Sequence, residues 1–124
     1  MKKTKILIVE DDEQFRNLLQ RFLEATCTVL TAVNGEEGFA LAKTELPDLI
    51  MTDILMPIKT GVELIRDLRD DKITKNIPII ILLATAYTQD LKAAQSFNPD
   101  SVLRKEQVTR KVLFDLIEKF VPQK

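Results

Sequence analysis

The sequence contains no histidine and no tryptophan, and it has a single cysteine, Cys27, in 124 residues. Without histidine, the chain can form neither a Ser-His-Asp triad nor a histidine-ligated zinc site. One cysteine excludes an internal disulfide and fits a reducing compartment, so we expect a cytoplasmic protein. We interpret Cys27 as a small strand residue rather than a nucleophile, because the chain has no histidine to activate it.

The chain also lacks an excess of positive charge and long apolar runs. A net charge of -1 argues against a broad basic face, so we expect no direct binding of nucleic acid. The longest apolar stretch, 77–84, is far shorter than the roughly 20 residues that a membrane-spanning helix needs. The lysine-rich start meets acids after four apolar residues and so is not a signal peptide. The length of the chain and its content of 45% hydrophobic residues predict one globular domain, 1–124.

Short apolar runs alternate five times with helical patterns. The first run, 6–9, precedes apolar residues spaced as one helix face, and further strands are predicted at 28–33, 48–53, 78–84 and 101–103. The central runs are continuously apolar, as is typical of strands that are covered on both faces. With right-handed crossovers, this order predicts an α/β three-layer sandwich around a parallel five-stranded sheet.

Charged residues follow three of these strands. The first strand runs directly into four acids, Glu10 to Glu13, the third ends in Asp53, and Lys105 follows the fifth. Carboxylates crowded at the end of a buried strand repel one another and lose hydration, so a positive group should lie among them. The carboxyl ends of parallel strands share one edge, where these side chains can converge. A carboxylate cluster without histidine or cysteine suits Mg²⁺ or Mn²⁺.

Two of the four acids have a simpler interpretation. Asp12 and Glu13 are predicted to cap the first helix, near the positive end of its dipole. Glu10 and Asp11 still belong to the strand end, and we favour metal binding for them because of Asp53, which ends the third strand, and Lys105, which follows the fifth. The turn after the first strand has no glycine-rich loop and is anionic. Both features argue against a dinucleotide-binding or P-loop protein.

Three stretches together resemble a known family over essentially the whole chain. They are ILIVEDDE, NGEEGFALA and PDLIMTDILMPIKTG, the last of which contains the pattern D-x-x-M-P-x-x-x-G from Asp53 to Gly61. The chain resembles a response-regulator receiver domain, the phosphoacceptor module of two-component signalling, as in chemotaxis regulators. The resemblance implies a flavodoxin-like (βα)5 fold with strand order 2-1-3-4-5, in agreement with the alternating pattern.

The resemblance also implies roles for individual residues. Asp53 would accept a phosphoryl group from a sensor histidine kinase or a phosphotransfer protein. Asp11 and Asp53 would bind Mg²⁺ together with the backbone carbonyl of Leu55, and Glu10 would act directly or through water. Lys105 would pair with the phosphoryl oxygens. A downstream protein would bind the face formed by the fourth helix, the fifth strand and the fifth helix.

The chain departs from the family at the positions that switch its conformation. The family has Thr or Ser at the end of the fourth strand, and the spacing places Leu83 there. The nearest hydroxyl, Thr85, lies two residues later and would reach the site only if the strand bulged or shifted, so we favour Leu83. Three residues before the lysine, where the family usually has Tyr or Phe, this chain has Val102. We therefore expect simple core packing for both Leu83 and Val102. Glu106 replaces a proline that follows a cis bond, so we expect a trans peptide there.

Two main hypotheses follow. The leading one is a receiver that is phosphorylated on Asp53 and is not an enzyme beyond slow self-dephosphorylation, since Leu55 offers no group to orient a hydrolytic water. The alternative is a pseudo-receiver, an interaction module that works without phosphorylation, which Leu83 and Val102 favour. A metal-dependent phosphohydrolase is disfavoured, because such enzymes of similar topology tend to have a second acid where this chain has Leu55. Whether the chain is a single-domain regulator or a piece of a longer protein stays open.

Overall fold

The computed structural model describes residues 3–84 and 88–122, without the side chains of 88–90. Its five strands form one parallel sheet of order 2-1-3-4-5, which confirms the predicted fold. The strands are β1 Thr4–Val9, β2 Cys27–Ala32, β3 Leu49–Asp53, β4 Ile79–Leu83 and β5 Ser101–Arg104. The helices are α1 Glu13–Leu23, α2 Gly35–Glu45, α3 Gly61–Asp70, α4 Thr88–Gln95 and α5 Arg110–Phe120.

The helices begin where side chains can cap them. Asp12 accepts a hydrogen bond from the amide of Gln14 at the start of α1, at 3.0 Å, which confirms the predicted cap. Asn34 does the same for the amide of Glu37 in α2, at 2.8 Å. At the start of α3 the side chain of Thr60 and a glutamate form a reciprocal capping box. These caps fix the points at which each chain segment leaves the carboxyl edge of the sheet.

The sheet separates two apolar layers. On one face α2, α3 and α4 contribute residues such as Ala42, Leu64 and Ala94 to one core cluster. On the other face α1 and α5 contribute Leu19 and Leu113 to a second cluster. Every residue of β3 and β4 is buried, as predicted from their continuous apolar runs. Cys27 is buried at the start of β2, in the structural position expected for it.

The register aligns the strand ends that carry the charged residues. Val9, the last residue of β1, lies beside Thr52, so the acids that follow β1 emerge next to Asp53. Asp53 in turn lies beside Leu82 of β4. The last residue of β5, Arg104, also ends at this edge, which delivers the following lysine to the same place. Among the described residues, no helix is long and apolar enough to cross a membrane.

Candidate functional site

Three carboxylates meet at the carboxyl edge of the sheet. Glu10, Asp11 and Asp53 each place one carboxylate oxygen within 4.8 Å of the others. Glu10 is 0% exposed and Asp53 is 6% exposed, whereas Asp11 is open to solvent. The cluster therefore has a buried floor made of two acids and an open side formed by the third.

Lys105 supplies the positive charge that the sequence pattern required. Its Nζ atom lies 2.7 Å from Oε1 of Glu10 and 3.0 Å from Oδ2 of Asp53. The Lys105–Glu106 peptide is trans, as expected, and begins a short 3₁₀ helix, Lys105–Gln107. The ammonium group also lies 5.0 Å from the ring centre of Phe15, at cation–π distance. The sequence did not predict this contact, because Phe15 belongs to the apolar helix face after the first strand and that spacing indicates only packing.

The environment of Glu10 strongly perturbs its acidity. Burial raises the pKa of Glu10 to about 8, with the contact from Lys105 acting against the shift and the charge of Asp53 adding to it. Burial alone would lower the pKa of Lys105, but its contacts with Glu10 and Asp53 raise it. The buried Oε1 atom of Glu10 has the Lys105 ammonium as its ion-pair partner. A cluster of three converging carboxylate oxygens fits a hard divalent cation.

Backbone contacts hold the acids in place. The guanidinium of Arg16 donates to the backbone carbonyl of Glu10 at 2.9 Å, which ties the end of β1 to α1. Oδ1 of Asp53 accepts a hydrogen bond from the amide of Ile54 at 2.7 Å. Since Oδ2 already contacts Lys105, each oxygen of this carboxylate has one defined partner. Leu55, two residues after Asp53, is half-buried in the loop that follows β3.

The two residues expected at the switch positions, Leu83 and Val102, pack as aliphatic core side chains. Leu83 ends β4, is 1% exposed and belongs to the core cluster beneath α2, α3 and α4. Val102 of β5 is partly buried against that same cluster and lies beside Ile81 of β4. Thr85, the alternative hydroxyl, lies outside the described residues.

A parallel 2-1-3-4-5 sheet with an acid pair after β1, an aspartate at the end of β3 and a lysine after β5 is the arrangement of a receiver domain. The family model of the response regulator receiver domain matches residues 6–118. The chain belongs to this family.

Individual proteins show the same relationship. The alkaline phosphatase synthesis transcriptional regulatory protein PhoP of Bacillus subtilis is 37% identical over 109 residues, 87% of this chain and 45% of that protein. A putative response regulator of Chloroflexus aurantiacus superposes with a TM-score of 0.89 at 27% identity, covering 98% of this chain and 100% of that one. The receiver domain of a Pseudomonas aeruginosa sensor histidine kinase shares the fold, with a TM-score of 0.89, 21% identity and coverage of 98% and 99%. That structure has a magnesium ion coordinated in its active-site cleft.

The curated relatives differ from this chain in length. The chain spans 45% of PhoP and 5% of a hybrid signal transduction histidine kinase of Dictyostelium discoideum, with which it is 38% identical over 84 residues, 68% of this chain. The match therefore concerns only part of each of those proteins.

Proposed function

We propose that the protein, as a receiver domain spanning 1–124, accepts a phosphoryl group on Asp53 from a sensor histidine kinase or a phosphotransfer protein. The observation that carries the proposal is the Asp53 carboxylate, which ends β3 among two further acids and lies 3.0 Å from the Lys105 ammonium. The single cysteine supports action in the cytoplasm.

The donor set supports magnesium as the cofactor. Asp11, Asp53 and the backbone carbonyl of Leu55 would hold Mg²⁺, with Glu10 acting directly or through water. All of these are hard oxygen donors, and the three carboxylate oxygens that lie within 4.8 Å of one another support this set. When bound, the cation neutralises charge that would otherwise keep the phosphoryl group away from the acids.

The chemistry assigned to Asp53 is nucleophilic. One carboxylate oxygen attacks phosphorus, the bond between phosphorus and the donor's histidine nitrogen breaks, and its electron pair stays on that nitrogen. The product is an acyl phosphate on Asp53. Lys105, already beside Oδ2, pairs with the phosphoryl oxygens and stabilises their charge. Each transfer leaves the protein itself modified, so it acts as a signalling phosphoacceptor rather than an enzyme.

The signal would be passed on through the elements next to β4. A downstream protein would bind the face of α4, β5 and α5, with a muted response to phosphorylation because Leu83 and Val102 pack as core residues. The same packing favours a second candidate function, a pseudo-receiver that binds its partner regardless of phosphorylation. The two functions differ in whether Asp53 is modified.

Intact-protein mass after incubation with Mg²⁺ and acetyl phosphate tests the proposal. We expect one phosphoryl adduct that requires Mg²⁺ and disappears in Asp53→Asn. Asp48→Asn is the matched control. Asp48 accepts a hydrogen bond from the amide of Lys5, the second residue of β1, and so lies away from the acid cluster. An adduct in that control and in the wild type supports the phosphoacceptor. No adduct, together with no binding of Mg²⁺, would contradict the phosphoacceptor and favour the pseudo-receiver instead.

A further inference from the structure

The start of α2 touches the loop that carries a proposed metal ligand. The amide of Gly35, the first residue of α2, donates to the backbone carbonyl of Lys59 at 2.9 Å. A Cβ atom at Gly35 would lie 2.5 Å from that carbonyl oxygen and 2.8 Å from Cγ of Lys59. Such approaches are closer than real Cβ contacts, so only glycine permits this distance between the helix and the loop.

The loop between β3 and α3 is also fastened at its other side. The amide of Gly61, the first residue of α3, donates to the carbonyl of Ile54 at 2.6 Å. Leu55 follows Ile54 directly and therefore lies inside a segment held by Gly61 at one point and by Gly35 at another. The Lys59 side chain adds an ion pair with Asp67 of α3.

Between the residues held by these two hydrogen bonds, Ile54 and Lys59, the backbone is strained. Ile58 has a φ of 70°, and the amide of Lys59 donates to the carbonyl of Pro57 at 2.8 Å across it, which makes a tight γ-turn. A β-branched residue rarely adopts a positive φ. Ile58 is 76% exposed, so packing of its side chain does not offset the strain. Strained conformations of this kind persist only where surrounding contacts enforce them, and the Gly35 contact is one of those.

We propose that Gly35 is a positioning residue for the metal site. By holding the carbonyl of Lys59 against the start of α2, it fixes the strained loop and with it the backbone of Leu55, two residues after Asp53. The inference rests on the proposed function, because it concerns the Mg²⁺ site assigned there. It gives α2, which contributes no acid to the cluster, a part in binding the cation.

Calorimetric titration of Mg²⁺ into the wild type, Gly35→Ala and Ala42→Gly tests this role. Ala42 is the matched control, since it is buried in the core on the same helix, two turns after Gly35, and glycine within a helix lowers its stability. We expect Gly35→Ala to weaken Mg²⁺ binding by roughly tenfold, as for residues that support metal ligands. Ala42→Gly should reduce the melting temperature while binding Mg²⁺ like the wild type.

Equal affinity in wild type and Gly35→Ala, or an equal loss in both variants, would overturn the positioning role. A wild type that binds no Mg²⁺ would instead refute the metal site of the proposed function. A second measurement needs no substitution, so it applies even if Gly35→Ala does not fold. During titration of the wild type with Mg²⁺, the amide resonance of Gly35 should shift and saturate together with that of Leu55. A Gly35 resonance that stays fixed while that of Leu55 moves would contradict the proposal.

Discussion

The Nζ atom of Lys105 lies 3.0 Å from Oδ2 of Asp53, although Glu106 occupies the position where receiver domains usually have proline. The lysine reaches the site through a trans peptide and is held by an ion pair with Glu10 and by the ring of Phe15. The ammonium group is therefore positioned by Glu10 after β1, by Phe15 of α1 and by Asp53 of β3. A cis peptide bond after the lysine is not needed.

Replacement of Lys105 should separate phosphoryl transfer from metal binding. We expect Lys105→Gln to slow phosphorylation of Asp53 by acetyl phosphate by roughly 100-fold, since a donor to the developing phosphoryl charge is lost. Mg²⁺ affinity should not fall, because the variant keeps all the carboxylates and removes a competing positive charge. Lys111→Gln, which breaks an exposed ion pair with Asp115 in α5, is the control and should react at the wild-type rate. An unchanged rate in Lys105→Gln would contradict this role.

A hydroxyl at the end of β4 should restore part of a switch. Leu83→Thr buries a hydroxyl in an apolar cluster, so we expect it to lower the free energy of unfolding by about 1–3 kcal/mol. After phosphorylation, backbone amides of α4, β5 and α5 should shift more in this variant than in the wild type. Ile81→Thr, in the same strand and cluster, should cost similar stability without enlarging the shifts. Equal shifts in all three proteins would show that residue 83 does not limit the response.

The lifetime of the acyl phosphate should depend on Leu55. An apolar side chain two residues after Asp53 cannot orient a hydrolytic water, so we expect slow loss of the phosphoryl group from purified protein. Leu55→Asn should shorten the lifetime by about tenfold, because positioning a water gives less than a full general base does. Decay of the intact-protein adduct measures both rates. Rapid loss from the wild type would contradict the assignment.

An ion pair at the loop after β3 should make stability depend on pH. Burial acts to raise the pKa of Asp67, but hydrogen bonds from Lys59 and Arg66 outweigh it and lower that pKa. A lowered pKa contributes stability that is present above the unfolded-state value, about 3.9, and is lost as the pH falls through the folded-state value.

We therefore expect Asp67→Asn to be less stable than the wild type at pH 7 by about 1 kcal/mol, because both partners are only partly buried. Urea unfolding at a series of pH values should show this difference shrinking below about pH 4. A difference that stays constant down to pH 2 would mean that packing, rather than charge, explains the loss of stability.

Local signals in the sequence predicted the five strands and the convergence of the acids, and the resemblance to receiver domains implied the order of the strands in the sheet. Apolar runs of strand length predicted β1 to β5 within a residue or two at most ends, because each strand's pattern is contained in its own few residues. Asp12 was predicted as a cap for the same reason. The acids after β1 and Asp53 could be placed together because parallel strands end at one edge.

The electrostatics and the positioning contacts were decided only by the tertiary structure. The raised pKa of Glu10 depends on complete burial under neighbouring elements, which no local pattern encodes. The contacts of Lys105 with Phe15 and of Gly35 with Lys59 join segments far apart in the chain, and their distances are set by how helices pack on the sheet. By itself, the sequence determined which groups reach the carboxyl edge of the sheet. Packing decided which of them touch, because side-chain contacts across elements depend on ångström-scale positions that residue spacing does not specify.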